Sequence, residues 1–386
     1  MIEKIKSIEI NERGLKSKYY FHPWIYQNSC KKIPDDLEDG ELLFITNNAK
    51  KIGIGFYEAN SLYAIKILEY FEEFDEKNFD LEKIIRKKIE KAIEYREKIK
   101  CEKMFRIFYN ESDGIPGLTI DKYENLIVIQ YHIEGVYRIR NIIEKIIKEK
   151  YSECFFYIIS PRKKREWLGE KKCELPYQIN YNGINFLINL ESGHKTGFYL
   201  DQLNNIKYLS QFIRSGDLVL DAFAYTGTFA LFALNQGAYV DVIEFQQKNI
   251  DLFKKICELN SFKNYNCYIG RFEKIILKLE KKYDFIFLDP PALVFNKNQK
   301  KKALQYLHKI ILQALNNLKI NSRIAINVCS YALTDNELKK TILSAACSNK
   351  SILRLIYENR AALDHPVLLN FLEGDYLRCL CFEKIS

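Results

Sequence analysis

Short apolar runs separated by turn residues open the chain. Glu41-Leu-Leu-Phe-Ile-Thr and Ile52-Gly-Ile-Gly-Phe, with Asp, Gly and Asn around them, predict strands of a small β-rich domain over residues 1–72. An acidic stretch, Glu69 to Glu76, ends it. From Asp80 the period changes. Leu81, Ile84, Ile85, Ile89, Ala92 and Ile93 recur at helical spacing among charged residues and predict one amphipathic helix to about Lys100. Strands and a second helix over 139–149 complete an α+β middle domain, residues 73–185. The cluster Arg162-Lys-Lys-Arg165 near its end reads as a solvated loop.

After residue 186 strand and helix patterns alternate, as they do in a parallel sheet covered by helices. Strands are expected at Asp217-Leu-Val-Leu, Tyr239-Val-Asp-Val-Ile, Tyr283-Asp-Phe-Ile-Phe-Leu and Arg323-Ile-Ala-Ile-Asn-Val. Helices are expected from Thr228 to Asn235 and from Ile250 to Asn260. Thr334, with Glu337 three residues on, forms a capping box that opens another. Strands near 352–357 and 376–383 close this domain, residues 186–386. The fold class is therefore α/β at the C-terminus, preceded by a β-rich and an α+β domain.

At 386 residues the chain exceeds the usual size of one hydrophobic core, so several domains are expected. Its 59 Lys and Arg against 50 Asp and Glu leave a net charge of +9, which suits a polyanionic partner without demanding one. The ten cysteines are scattered, with no CxxC pair and no His at zinc-ligand spacing, so reduced thiols of a cytoplasmic protein are the simpler reading. The N-terminal Met-Ile-Glu-Lys-Ile-Lys lacks the apolar run of a signal peptide, and no stretch approaches eighteen uncharged apolar residues.

Chemistry concentrates in the last domain. Leu220-Asp-Ala-Phe-Ala-Tyr-Thr-Gly-Thr-Phe begins as a strand and turns into a helix, placing backbone N–H groups beside Thr226 and Gly227 where an anion is favoured. A single glycine makes this neither a dinucleotide fingerprint nor a P-loop; a ligand with one carboxylate fits better. Glu244 ends the next strand, where a carboxylate can accept hydrogen bonds from the two hydroxyls of a ribose.

These features resemble class I methyltransferases, with their Rossmann-like sheet. The resemblance implies S-adenosyl-L-methionine as cofactor, its amino acid held at the first turn by Asp221, Phe223, Tyr225, Thr226 and Gly227, its ribose by Glu244. Asp289-Pro-Pro, ending the fourth candidate strand, matches the fourth motif of base methyltransferases; the prolines stop the strand and leave the carboxylate at the sheet edge where such folds bind ligands.

Together the motifs resemble the class I ribosomal RNA large-subunit methyltransferases with a fused N-terminal PUA domain, of the cytosine-C5 type. The resemblance spans the chain. It runs through His22-Pro-Trp-Ile-Tyr, Glu111-Ser-Asp-Gly-Ile-Pro-Gly-Leu-Thr-Ile-Asp, Gly193-His-Lys-Thr-Gly-Phe-Tyr-Leu-Asp-Gln, Phe223-Ala-Tyr-Thr-Gly, Asp289-Pro-Pro, Val328-Cys-Ser, Asp364-His-Pro-Val and Glu373-Gly-Asp-Tyr-Leu. It implies an RNA-binding first domain, a middle domain that helps form an RNA groove, and Lys195, Phe198 and Gln202 near the methionine end of the cofactor. Large-subunit ribosomal RNA is the implied partner, with no membrane involved and a homodimer left open.

Three positions depart from the family pattern. Leu203 stands where Arg commonly follows the Asp-Gln pair. Arg271-Phe272 stand where an acid usually accepts from the adenine amino group, which Arg271 cannot do. The alternatives are Glu273, a backbone carbonyl, stacking of Arg271 on the adenine, or poor cofactor affinity. Ala292 replaces a Lys after Asp289-Pro-Pro.

Carbon 5 of cytosine is a weak nucleophile, so its methylation needs a thiolate added to carbon 6. Cys329, ending the strand that follows Asp289 in the sheet, is the expected nucleophile, and Asp289 the group that hydrogen-bonds the base. No second cysteine lies beside Asp289-Pro-Pro. The base that removes the carbon-5 hydrogen is unassigned among water, Asp364 and His365. Methylation of guanine, which relatives perform without a cysteine, and a catalytically weak RNA-binding assembly factor are the competing readings.

Overall fold

The computed structural model describes residues 5–191, 195–291 and 299–386. The chain forms two compact units. One comprises Met1–Tyr177, Ile188–Leu200 and Leu363–Gly374; the other Gln178–Leu187, Asp201–Ala362 and Asp375–Ser386.

The first unit contains two five-stranded sheets. In one, the spatial order is Ser7–Glu9, Leu42–Asn47, Lys50–Tyr57, Ile65–Tyr70, Trp24–Ile25. A helix, Glu12–Tyr19, stands where only strands were expected. Its one aliphatic residue, Leu15, leaves no periodic stripe to read, and it is started instead by the Asn11 side chain, which accepts from the Arg13 and Gly14 N–H groups. The second sheet runs Arg165–Trp167, Phe155–Ile159, Leu126–Tyr131, Leu118–Tyr123, Met104–Tyr109. The basic cluster is split: Arg162 is solvated, whereas Arg165 heads an edge strand and donates to the Leu190 carbonyl.

The amphipathic helix is Leu81–Lys98, capped by Asp80, and it buries Ile85, Ile89, Ala92 and Ile93. These side chains share one core with Phe44, Ile54, Phe56 and Leu68 of the first sheet and Ile107, Ile120 and Ile129 of the second. The expected boundary at residue 72 therefore falls within a continuous apolar core.

The second unit is built on a seven-stranded sheet. Its strands are β1 (Leu218–Ala222), β2 (Tyr239–Glu244), β3 (Tyr265–Ile269), β4 (Tyr283–Leu288), β5 (Leu318–Cys329), β6 (Leu353–Asn359) and β7 (Leu377–Lys384). Their spatial order is β3-β2-β1-β4-β5-β7-β6. β1 to β5 pair in parallel, and β7 runs antiparallel between β5 and β6. One face packs Leu220, Ile286, Leu288, Ile324 and Ile326 against Leu307 and Ile311 of helix Lys300–Asn316 and Leu338 and Ile342 of helix Asp335–Ser348. The last helix starts from the expected capping box, Thr334 with Glu337. On the other face Phe229 of helix Thr228–Asn235 stacks on Phe287, ring centroids 4.2 Å apart. Strand order reverses at β1 and β4, so the crevice at the C-terminal ends of these two strands is where an open α/β sheet receives a ligand.

Candidate active site

β1 leads into a turn of unusual backbone. Phe223, Tyr225 and Gly227 have φ of 62°, 52° and 73°, a left-handed region that costs a non-glycine residue about 1–2 kcal/mol. The end of β2 holds this conformation in place. The Ile243 carbonyl accepts from the Phe223 and Ala224 N–H groups at 2.9 and 3.2 Å, and the Glu244 carboxylate accepts from the Tyr225 N–H at 3.0 Å. At Gly227 a Cβ would lie 2.4 Å from the Phe253 ring, so only glycine lets helix Gln247–Leu259 pack this closely. The turn ends at the N-terminus of helix Thr228–Asn235, whose leading N–H groups favour an anionic group.

Glu244 does more than the sequence implies. Its Oε1 accepts from the Gln246 N–H at 2.9 Å and the Asn249 amide at 3.0 Å, in addition to the Tyr225 bond on Oε2. Three of its about four acceptor positions are taken by the protein. One remains, enough for a single ribose hydroxyl without displacing a protein donor. Glu244 thus couples the cofactor turn to β2 and to the next helix. Asn249, in the first turn of that helix, is a partner that sequence reading missed; its only signal is its place five residues after the acid.

Asp221 is fully enclosed. Its carboxylate accepts from the Ala230 N–H at 3.0 Å, yet burial, reinforced by the charges of Asp289 and Glu244, pushes its pKa up to about 8. At neutral pH it keeps its proton. A ligand that brings positive charge beside it restores the ionised form, so the site is matched to a cationic group next to the anion-favouring turn. A cofactor that carries an ammonium, a carboxylate and a ribose fits these residues.

Asp289 follows β4 and accepts from the Gln202 amide at 2.7 Å. Gln202 is buried, and its Oε1 has no partner among the described residues. Cys329 ends β5 and is partly exposed, unlike Cys257, Cys379 and Cys381, which are buried. The parallel register pairs Leu288 with Ile326, so its continuation sets Asp289 beside Asn327, two residues before Cys329 on the same face.

Lys195 and Phe198 belong to the first unit, Lys195 with its ammonium 4.5 Å over the Tyr199 ring and Phe198 buried. Arg271 donates to Glu273 at 3.0 Å with its side chain 62% exposed. Phe272 is buried and packs against Phe223 at 5.3 Å, backing the cofactor turn from the core side. Thr226 is buried within the turn, and Leu203 in the core. Gly193, His194 and Ala292 lie outside the described residues. In the first unit His365 Nδ1 meets the Asp364 carboxylate at 2.8 Å, and its Nε2 has no partner among the described residues. Burial raises the Asp364 pKa, but His365 and the Arg106 N–H outweigh it and hold the carboxyl below its ordinary range.

A parallel sheet with this strand order, one reversed strand β7, and an acid at or next to the C-terminal end of each of β1, β2 and β4 defines a class I methyltransferase fold. Residues 8–70 match the family model of the PUA-like domain. The chain is 30% identical over 387 residues to ribosomal RNA large subunit methyltransferase I of Aeromonas salmonicida, covering 95% of this chain and 96% of that one. It is 29% identical to the Serratia proteamaculans protein of the same name, over 94% and 95% of the two chains. A Streptococcus mutans structure assigned as a SAM-dependent methyltransferase superposes with a TM-score of 0.82 at 20% identity, over 98% and 100% of the chains. The chain belongs to the family of S-adenosylmethionine-dependent ribosomal RNA large-subunit methyltransferases with an N-terminal PUA-like domain. No helix among the described residues is long and apolar enough to cross a membrane.

Proposed function

We propose that the protein transfers a methyl group from S-adenosylmethionine to carbon 5 of a cytosine in large-subunit ribosomal RNA, with Cys329 as nucleophile. The observation that carries this reading is the sheet register, which supports Cys329 and Asp289 on one face at the C-terminal ends of adjacent strands. The bound cofactor supplies an electrophilic methyl group. The protein's own residues do the rest. The Cys329 thiolate adds to carbon 6, forming a C–S bond and moving electron density onto carbon 5, which takes the methyl. Asp289 accepts from the exocyclic amino group and gives its proton to ring nitrogen 3 as charge develops there. Loss of the carbon-5 proton to a base then re-forms the double bond and expels the thiolate, and ring nitrogen 3 returns its proton to Asp289.

On this reading Glu244 holds the ribose. Glu244→Ala should weaken cofactor binding by about 1–3 kcal/mol, because buried donors lose a charged acceptor. Unchanged affinity in calorimetry would remove Glu244 from the site.

RNA contributes the second substrate, and the net charge of +9 favours phosphate contacts. Affinity for substrate RNA is expected to fall steeply as salt rises, through counterion release. A flat dependence between low and physiological salt would exclude a phosphate-led interface. The deciding experiment maps methylated nucleosides in ribosomal RNA from cells with and without the protein. A 5-methylcytosine that disappears with the gene supports the proposal; a lost methylguanine overturns it.

A further inference from the structure

Asn327 is an anomaly in β5. Its side chain is 0% exposed, and neither Oδ1 nor Nδ2 has a partner among the described residues. Buried amides are nearly always hydrogen-bonded, and leucine, of similar shape, would fill the same space without the cost of stripping two polar atoms of water. An amide kept there requires a use.

The surroundings indicate one. Asn327 lies two residues before Cys329, so both side chains leave the same face of β5. Continuing the pairing of Leu288 with Ile326 puts Asn327 beside Asp289, and its antiparallel partner on β7 is Cys379. The Asp289 charge reaches Cys379, whose thiol burial pushes well up and Asp289 pushes further. Asp289 just past β4, Asn327 on β5 and Cys379 on β7 therefore form one row. The Asp289 carboxylate is held by Gln202, whose own Oε1 is also buried and without a partner.

We propose that Asn327 is a positioning residue for Asp289, an amide that hydrogen-bonds the Asp289 carboxyl group during turnover. This rests on the assignment of Asp289 to the target base given above. An amide suits an acid that changes protonation state. Nδ2–H donates to the carboxylate, and Oδ1 accepts from the carboxylic acid, so rotation about one bond serves both forms. When the base takes Asp289 from Gln202, Asn327 keeps the carboxyl oriented. A lysine, which has donors only, could serve only one of the two states.

The test is Asn327→Leu in the full-length protein, with Asn327→Ser as a smaller variant that retains a donor and an acceptor. The leucine variant should melt at or above the wild-type temperature. It should lose about tenfold or more in kcat with KM for cofactor and RNA unchanged, because an interaction made only on the reaction path is missing. Its kcat–pH profile should be displaced relative to wild type, and the serine variant should recover part of the rate. Asp221 on β1 and Cys379 on β7 feel the Asp289 charge, and Cys329 closes the same face. The profile is therefore compared between variants in which all three are intact. A leucine variant with wild-type kcat and pH profile overturns the role of Asn327, as does one that simply melts lower with unchanged kinetics. Wild-type protein that methylates no cytosine sinks the reading of the site instead, which the nucleoside product reports separately.

Discussion

Cys329→Ala is expected to abolish methyl transfer, by at least about 10³-fold, while leaving cofactor affinity nearly unchanged. The proposed cofactor residues Asp221 and Glu244 sit on β1 and β2, and Cys329 is at the end of β5. An ordinary thiol is only a few per cent thiolate at neutral pH, but sulfur is nucleophilic enough for that fraction to react when held against carbon 6. RNA carrying cytosine fluorinated at carbon 5 cannot release that substituent as a proton. Transfer to it should stop with the RNA bonded to Cys329, a species that survives denaturing electrophoresis. The target base must leave its stack first, so loops and single strands should be preferred over duplex. Methylation of normal RNA without any adduct on the fluorinated RNA, together with an active alanine variant, would mean that the thiol is not the nucleophile.

The second large effect is expected at Asp221. Its carboxyl retains a proton in the ligand-free protein up to about pH 8, against an ordinary value of 3.8. The sign follows from linkage. Between these two values the folded protein binds more protons at this site than the unfolded chain does, so stability falls as pH rises through the window. Asp221→Asn keeps an acceptor for the Ala230 N–H and removes the titration. It should match the wild type near pH 4 and be the more stable protein, on the order of several kcal/mol, above pH 8. Cofactor binding should respond in the opposite sense. A cationic ligand favours ionised Asp221, so wild-type affinity divided by that of the variant should rise by up to about tenfold per pH unit toward pH 8, then level off. The ligand's own amino group titrates in the same range, and the ratio cancels it. A ratio independent of pH would show that Asp221 does not face the cofactor's positive charge.

Much of this was legible in the sequence, for identifiable reasons. β2 and β4 are apolar runs with sharp ends, and the structure places them at Tyr239–Glu244 and Tyr283–Leu288, where the pattern put them. The acids closing them could be found because the ends could. β5 was legible only from Arg323. Its first residues, Leu318 to Ser322, are mostly polar, Asn321 takes a φ of 61°, and the register with β4 shifts there. What the sequence could not convey was partnership. Glu244 reads as a strand-end acid whether it faces solvent or three protein donors. Nor does the sequence show that Arg271 donates to Glu273, one of the residues considered in its place. Asn327, flanked by Ile326 and Val328, looks like one polar position in a strand, and nothing in its neighbours says that its side chain has no hydrogen-bond partner among the described residues.

The place of β7 has a consequence for biosynthesis. Because β7 lies between β5 and β6, the strand that ends at Cys329 has no neighbour on that side until residues 377–384 are made. A ribosome adding about 5–20 residues per second takes roughly three to ten seconds to pass from Cys329 to Lys384. Throughout that interval β1 to β5 can pair only as an open sheet with an exposed edge. The nascent chain therefore carries Cys329 for several seconds before it gains the strand that pairs with it, and methylation activity should depend on the completion of β7.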